Sequence, residues 1–246
     1  MTAIPNTWAP DLFAGKVVVV TGGASGIGLG VAEAFAALGA SVRVADLGAS
    51  AVAAKPGLDL TAQELDVTDA EGVAAFVDGL DRLDVLVNCA GVIRRAAELD
   101  PDVFEQVIAI NLTGTMRFCA QARPKLAASG GSIVNMASML SFFGAGLAPA
   151  YSASKGGVMQ LTKSLAIAYA ADGVRVNAVA PGWIATPLTQ ALQNDPARAN
   201  AILSRTPLGR WGAAADVAQA VLFLASPAAV FVTGVILPVD GGYLTA

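Results

Sequence analysis

The chain contains no histidine. That absence removes Ser-His-Asp and Cys-His nucleophile systems, HExxH metalloproteases and His-ligated metal sites together, so any catalytic base must be another side chain. Cysteine is scarce: Cys89 and Cys119 cannot form a four-thiolate zinc site, and with no sign of secretion they read as reduced, packed thiols. No metal is expected. Charge is thin at 14% of residues, the formal net charge is -4, and the fifteen Lys and Arg residues form no basic block, which argues against a nucleic-acid partner. Met1 to Gly15 carries no basic region followed by an apolar stretch. The window Val217 to Val239 is hydrophobic but interrupted by Gln219, Ser226, Pro227, Thr233, Gly234 and Pro238. The expectation is a cytoplasmic chain without a membrane span.

What is present is a long, apolar chain: 246 residues, 55% hydrophobic, enough to bury one large core as a single domain. Short β-rich runs alternate with helical patterns. The strands are expected at Lys16 to Thr21, Ser41 to Ala45, Gln63 to Val67, Val85 to Asn88, Ser132 to Ala137, Arg175 to Ala180 and Val235 to Val239. Helices are expected near Ile27 to Leu38, Ala70 to Leu80, Pro101 to Ala127, Tyr151 to Ala171 and Ala213 to Leu224. This alternation predicts an α/β fold, a doubly wound parallel sheet of about seven strands with helices on both faces. The Ala- and Gly-rich stretch Leu47 to Thr61 predicts a truncated or irregular crossover.

Thr21-Gly22-Gly23-Ala24-Ser25-Gly26-Ile27-Gly28 follows the first strand and opens a helix. Glycines there let a helix N-terminus, with its unpaired N–H groups, approach a pyrophosphate without an intervening Cβ. Asp46 ends the second strand, where a carboxylate can accept from the adenosine ribose hydroxyls and repel a 2′-phosphate. Neither Ser25 nor Leu47 offers a cation for that phosphate, so the cofactor expected is NAD (NADH) over NADP. Tyr151 and Lys155 stand four residues apart on one helix face, and the expectation is that the ammonium pulls the phenol pKa down toward working pH.

These motifs, in this order, resemble the short-chain dehydrogenase/reductase family over essentially the whole chain, from TGGASGIG at 21–28 to VDGG at 239–242. The match includes Asn88-Cys89-Ala90-Gly91, with Cys89 where the family usually has a second Asn. It also includes Asn111 in IAINLTG, Ser138 in IVNMAS, and Pro181-Gly182-Trp183-Ile184-Ala185-Thr186. The resemblance implies a Rossmann-type domain in which Tyr151 is the general acid/base of an alcohol–ketone interconversion and Ser138 holds the substrate oxygen. Lys155 would bind the nicotinamide ribose, and Asn111 would anchor a relay water. It further implies cofactor contacts at Gly22, Ser25, Gly26, Ile27, Gly28, Asp46, Leu47, Asp66, Val67, Asn88, Ala90, Gly91, Pro181, Gly182, Ile184 and Thr186, and a homotetramer built through the helices at 101–127 and 151–171 and the C-terminal segment.

Substrate choice is expected in residues 187–208 and near Ser138 and Tyr151. Met139, Leu140, Phe142, Phe143, Leu147, Trp183 and Leu188 could wall an apolar pocket, whereas Ser141, Gln190, Arg94 and Arg95 could serve a hydroxylated or acidic substrate. The phrases GVIRR, ASMLSF, APGWIATPLTQ and RTPLGRWG resemble the gluconate and deoxygluconate dehydrogenases. A neutral secondary alcohol, or a non-catalytic NAD(H)-binding sensor, are the alternatives.

Overall fold

The computed structural model describes residues 7–246, so the first six positions of the stretch Met1 to Gly15 considered above lie outside it. Seven parallel strands form one sheet in the order β3-β2-β1-β4-β5-β6-β7. They are β1 (Val17–Thr21), β2 (Ser41–Asp46), β3 (Leu60–Glu64), β4 (Val85–Asn88), β5 (Ser132–Met136), β6 (Arg175–Pro181) and β7 (Ile236–Val239). The helices are α1 (Gly26–Ala37), α2 (Ala70–Asp78), α3 (Pro101–Ile108), α4 (Gly114–Ser129), α5 (Pro149–Tyr169), α6 (Gln190–Gln193), α7 (Pro196–Ser204) and α8 (Ala214–Ala225). The hydrophobic stretch from Val217 resolves into α8, a turn and β7, and no helix among the described residues is long and apolar enough to cross a membrane.

The sheet divides the core in two. On one face α1 and α8 close over Val18, Val20, Val42, Val44 and Val134; on the other, α2, α4 and α5 cover Val19, Leu86, Ile133 and Val176. Central strands buried on both faces explain the near-continuous Val and Ile runs. Phe35 of α1 is fully buried and meets Phe13 edge-on, ring centroids 4.7 Å apart, which ties the segment before β1 to the helix after it. Burial of a side chain of this size contributes about 2–3 kcal/mol.

Helix starts follow capping chemistry. Asp69 accepts from the Glu71 and Gly72 N–H groups at α2, Asp100 from Asp102 at α3, and Asp195 from Ala197 and Arg198 at α7. Helix α5 differs: its N-cap residue is Ala148, which has no side-chain acceptor.

Two expected elements are displaced. The third strand is Leu60–Glu64, not Gln63 to Val67. It is an edge strand paired only with β2, half exposed, so its own pattern is weak; the buried apolar residues of the expected range, Leu65 and Val67, lie beyond it. The long helix expected at 101–127 is broken by a π-helical turn, Ala109–Thr113, between α3 and α4. The 47–61 crossover holds only a 3-10 turn, Ala49–Ala51.

Candidate active site

The strand order reverses direction between β1 and β4, and a cleft of about 510 Å³ opens beyond the C-terminal ends of the strands at that point. The turn after β1 forms its floor. Gly22 sits at φ +66, and a Cβ there would lie 2.6 Å from the Ala90 backbone; only glycine lets this turn press against the end of β4. A Cβ on Gly28 would stand 2.1 Å from the Gly22 carbonyl oxygen. Ser25, the N-cap of α1, makes no side-chain cap, and the first turn of α1 carries no acidic residue. An uncapped N-terminus facing the cleft is the donor set a pyrophosphate requires, so the residues fit a dinucleotide.

Fourteen of the expected cofactor residues line this cleft: Gly22, Ser25, Gly26, Ile27, Gly28, Asp46, Leu47, Asp66, Val67, Ala90, Gly91, Tyr151, Lys155 and Thr186. Both Asp46 oxygens are held by backbone, Oδ2 accepting from Ala24 N at 2.9 Å and Oδ1 from Gly48 N at 2.7 Å. Four expected contacts are not in the lining. The Asn88 side chain turns into the buried layer under α4, where Nδ2 donates to Asn135 Oδ1 at 2.9 Å and to Cys119 Sγ at 3.3 Å. Asn135 passes the chain on to Thr162 Oγ1. Pro181 belongs to β6 paired with β7, and Gly182 N donates to Val239 O. Ile184 is buried against the core and bridges Gly212. Cys89, by contrast, is not merely packed: it lines the cleft, and burial pushes its thiol up to about 12, so it stays protonated.

Helix α5 carries the candidate acid/base. Burial pushes the Tyr151 phenol above its ordinary value, opposed by a hydrogen bond with Ser138 and by the Arg95 charge, and reinforced by Glu98. The expectation that Lys155 lowers this pKa is corrected here. The Lys155 ammonium is 3% exposed, lies 5.6 Å from the Tyr151 ring centroid and donates to Met136 O at 2.6 Å at the end of β5. Burial pushes Lys155 down to about 8. Desolvation is the largest influence on the phenol, and the groups that oppose it are Ser138 and Arg95, not Lys155.

Asn111 sits in the π turn and is fully buried. Its amide clamps Val92, Oδ1 accepting from Val92 N at 2.8 Å and Nδ2 donating to Val92 O at 2.9 Å, with Ser154 Oγ at 3.1 Å. Both amide hydrogens are thus spent on protein, and the side chain fixes the loop after β4. Ser138 lies two residues beyond β5 and caps the 3-10 turn Met139–Ser141, its hydroxyl accepting from Leu140 N.

Of the expected substrate residues, Phe143 and Trp183 join an aromatic cluster with Tyr243 and Trp211 outside the cleft lining, and the Arg205 guanidinium lies 4.4 Å from the Tyr243 ring centroid. Leu188 lines the cleft, Met139 is buried, and Phe142 and Leu147 are exposed. Ser141 is committed to the Lys155 carbonyl and Gln190 to Asn194. Arg94 and Arg95 are exposed, and among the described residues neither forms an ion pair. Sequence reasoning missed Glu98, whose partners beside Tyr151 are set only by folding, and the packing of Tyr243, Trp211 and Arg205 from the far C-terminal segments against Phe143 and Trp183.

A doubly wound sheet with a phosphate-accepting turn at its switch point, and a Tyr–Lys helix beside it, defines a nucleotide-dependent oxidoreductase. The chain belongs to the short-chain dehydrogenase/reductase family: residues 22–244 match the family model described as enoyl-(acyl carrier protein) reductase, and its relatives are dehydrogenases acting on CH–OH groups. Galactitol 2-dehydrogenase (L-tagatose-forming) of Cereibacter sphaeroides is 44% identical, covering 93% of this chain and 95% of its own. Cis-4-hydroxycyclohexanecarboxylate dehydrogenase of Sinomonas cyclohexanicum is 45% identical over 95% and 98%. Among solved structures, a candidate 2-deoxy-D-gluconate 3-dehydrogenase from Agrobacterium tumefaciens with bound NADP is 41% identical, covers 97% of this chain and 100% of that one, and superposes with a TM-score of 0.89.

Proposed function

We propose that the protein interconverts a secondary alcohol and a ketone on a polyol or sugar acid, using NAD(H), with Tyr151 as the acid/base. The observation that carries this reading is the Tyr151 phenol at the wall of the dinucleotide cleft, with the Lys155 ammonium beside it, 5.6 Å from its ring centroid. A bound nicotinamide supplies the hydride acceptor or donor. The chain handles the proton: in oxidation, Ser138 holds the substrate hydroxyl and Tyr151 takes its proton as the C–H bond breaks. In reduction the phenol returns that proton to the forming alkoxide. Lys155 orients the ribose beside them, and residues 187–208, of which Pro187 and Leu188 line the cleft, select the substrate.

The preference for NAD rests on Asp46, pinned at the end of β2 by two N–H groups, and on Lys155 being the one cation lining the cleft among the described residues. A 2′-phosphate would meet a carboxylate and no counter-charge there. The NADP held by the Agrobacterium relative weighs on the other side. With a panel of sugar acids and polyols, kcat/KM is expected to favour NAD⁺ over NADP⁺ by about 100-fold, the scale of a like-charge juxtaposition. Equal use of both would refute the Asp46 argument. Asp46→Ser with Leu47→Arg is expected to invert the ratio.

Arg95 is the candidate group for a substrate carboxylate. Arg95→Met should raise KM for gluconate-type acids by about tenfold and leave galactitol unchanged, because only the acid loses a charge-assisted contact. Equal effects on both would sink that role.

A further inference from the structure

Glu98 is a charged side chain with 1% of its surface exposed, in the 3-10 turn Ala97–Leu99 before α3. It is in no ion pair among the described residues. Its two oxygens are both taken by backbone N–H groups: Oε1 accepts from Arg94 at 2.6 Å, Oε2 from Tyr151 at 2.8 Å. Tyr151 is the third residue of α5, and its N–H is one of the first-turn donors that no helical carbonyl can reach. Ala148, at the usual capping place, has nothing to offer it. The cap of the catalytic helix is therefore supplied by a carboxylate from another element, and negative charge at a helix N-terminus is favourable.

A second, independent feature holds the same segment. Ala96 stands at φ 66, ψ -41, the one positive-φ non-glycine among the described residues, and its N–H donates to Leu147 O at 2.7 Å, just ahead of Ala148. Such a backbone costs on the order of 1–3 kcal/mol and persists only where its surroundings over-determine it. Arg94 N and Ala96 N are thus both fixed, and Arg95 lies between them.

We propose that Glu98 is a positioning residue: by bonding Tyr151 N–H and Arg94 N–H with one carboxylate, it sets the phenol-bearing turn of α5 and the backbone of Arg95 relative to each other. This rests on Tyr151 being the acid/base, so its test is built around a readout that does not need turnover. The groups facing the phenol are Glu98 and Arg95 from the loop after β4, Ser138 from just beyond β5, and Lys155 on α5 itself.

The experiment is an ultraviolet tyrosinate titration of wild type, Glu98→Gln and Tyr151→Phe; with only three tyrosines in the chain, the Tyr151 component emerges by subtraction. Glu98→Gln removes the negative charge near the phenol and turns an amide NH₂ toward an N–H. The Tyr151 midpoint is expected to fall by about half a pH unit, and kcat with galactitol or gluconate by about tenfold. Glu98→Asp keeps the charge but withdraws the carboxylate by one methylene: the midpoint should stay, while kcat falls. A folded Glu98→Gln with unmoved midpoint and unmoved kcat overturns the proposal, leaving a helix cap alone. If Glu98→Gln does not fold, unchanged kcat in Glu98→Asp overturns it equally. Full turnover in Tyr151→Phe would instead strike the acid/base reading, and the titration would still decide the placement of the phenol.

Discussion

Tyr151→Phe is expected to lower kcat by about 10²–10⁴, the range of a lost general acid/base, while reduced-cofactor binding stays within about twofold. The ring remains to fill the cleft wall; only the proton-carrying oxygen goes. The pH dependence follows from the direction of the shift. Burial holds the proton on Tyr151 above the ordinary phenol range, so alcohol oxidation, which needs the deprotonated oxygen, should climb with pH through the alkaline side. Ketone reduction needs the phenol and should decline over the same range. Lys155, pushed down to about 8, is charged only on the acid side of that climb. Steady-state rates in both directions from pH 6 to 10 check this. A variant retaining more than about a tenth of wild-type turnover would remove Tyr151 from the chemistry.

The second large effect is at the floor of the cleft. Gly28→Ala would place a methyl 2.1 Å from the Gly22 carbonyl oxygen and 2.8 Å from its carbon. Neither atom is the end of a flexible side chain, so the turn itself must move. Overpacking of this kind costs about 2–4 kcal/mol, which corresponds to a fall in Tm of roughly 5–15 °C for a chain of this size. NADH binding, read by fluorescence titration, should weaken by at least about tenfold because the displaced atoms are the anion cradle. Gly156→Ala is the control. A Cβ there meets nothing within 4 Å, and in a helix interior it should leave Tm unchanged or raise it slightly. If the two substitutions behave alike, the close approach of Gly28 to Gly22 does not shape the turn.

Much of the scaffold was legible because its signals are local. β1, β4 and β5 are short apolar runs buried on both faces, and the glycine-rich turn declares itself by following one of them. The misplaced β3 shows the limit: an edge strand half in water carries little pattern, and its neighbours Leu65 and Val67 carried more. The π turn at Ala109–Thr113 was invisible because one extra residue barely disturbs helical spacing. That the Asn88 side chain turns away from the cleft toward Asn135 was not legible, because a strand covered on both faces gives no pattern to tell which way each side chain points. The four-residue spacing of Tyr151 and Lys155 placed both on one helix face, yet the ammonium's bond to Met136 O depends on where β5 ends. Glu98 meets Tyr151 across 53 positions of chain, and no spacing rule reaches that far.

The strand order also bears on how the molecule can be built during synthesis. β2 and β3 add in turn to one side of β1, then β4, β5, β6 and β7 to the other, so each strand emerging from the ribosome finds an unpaired edge already waiting. No earlier pairing has to be undone. The strands that carry the nucleotide cleft, β1, β2 and β4, are all translated before Pro149, where the catalytic helix begins. The topology is therefore compatible with the cofactor half pairing before the chemical half is made, an order in which every new parallel strand meets an edge formed earlier.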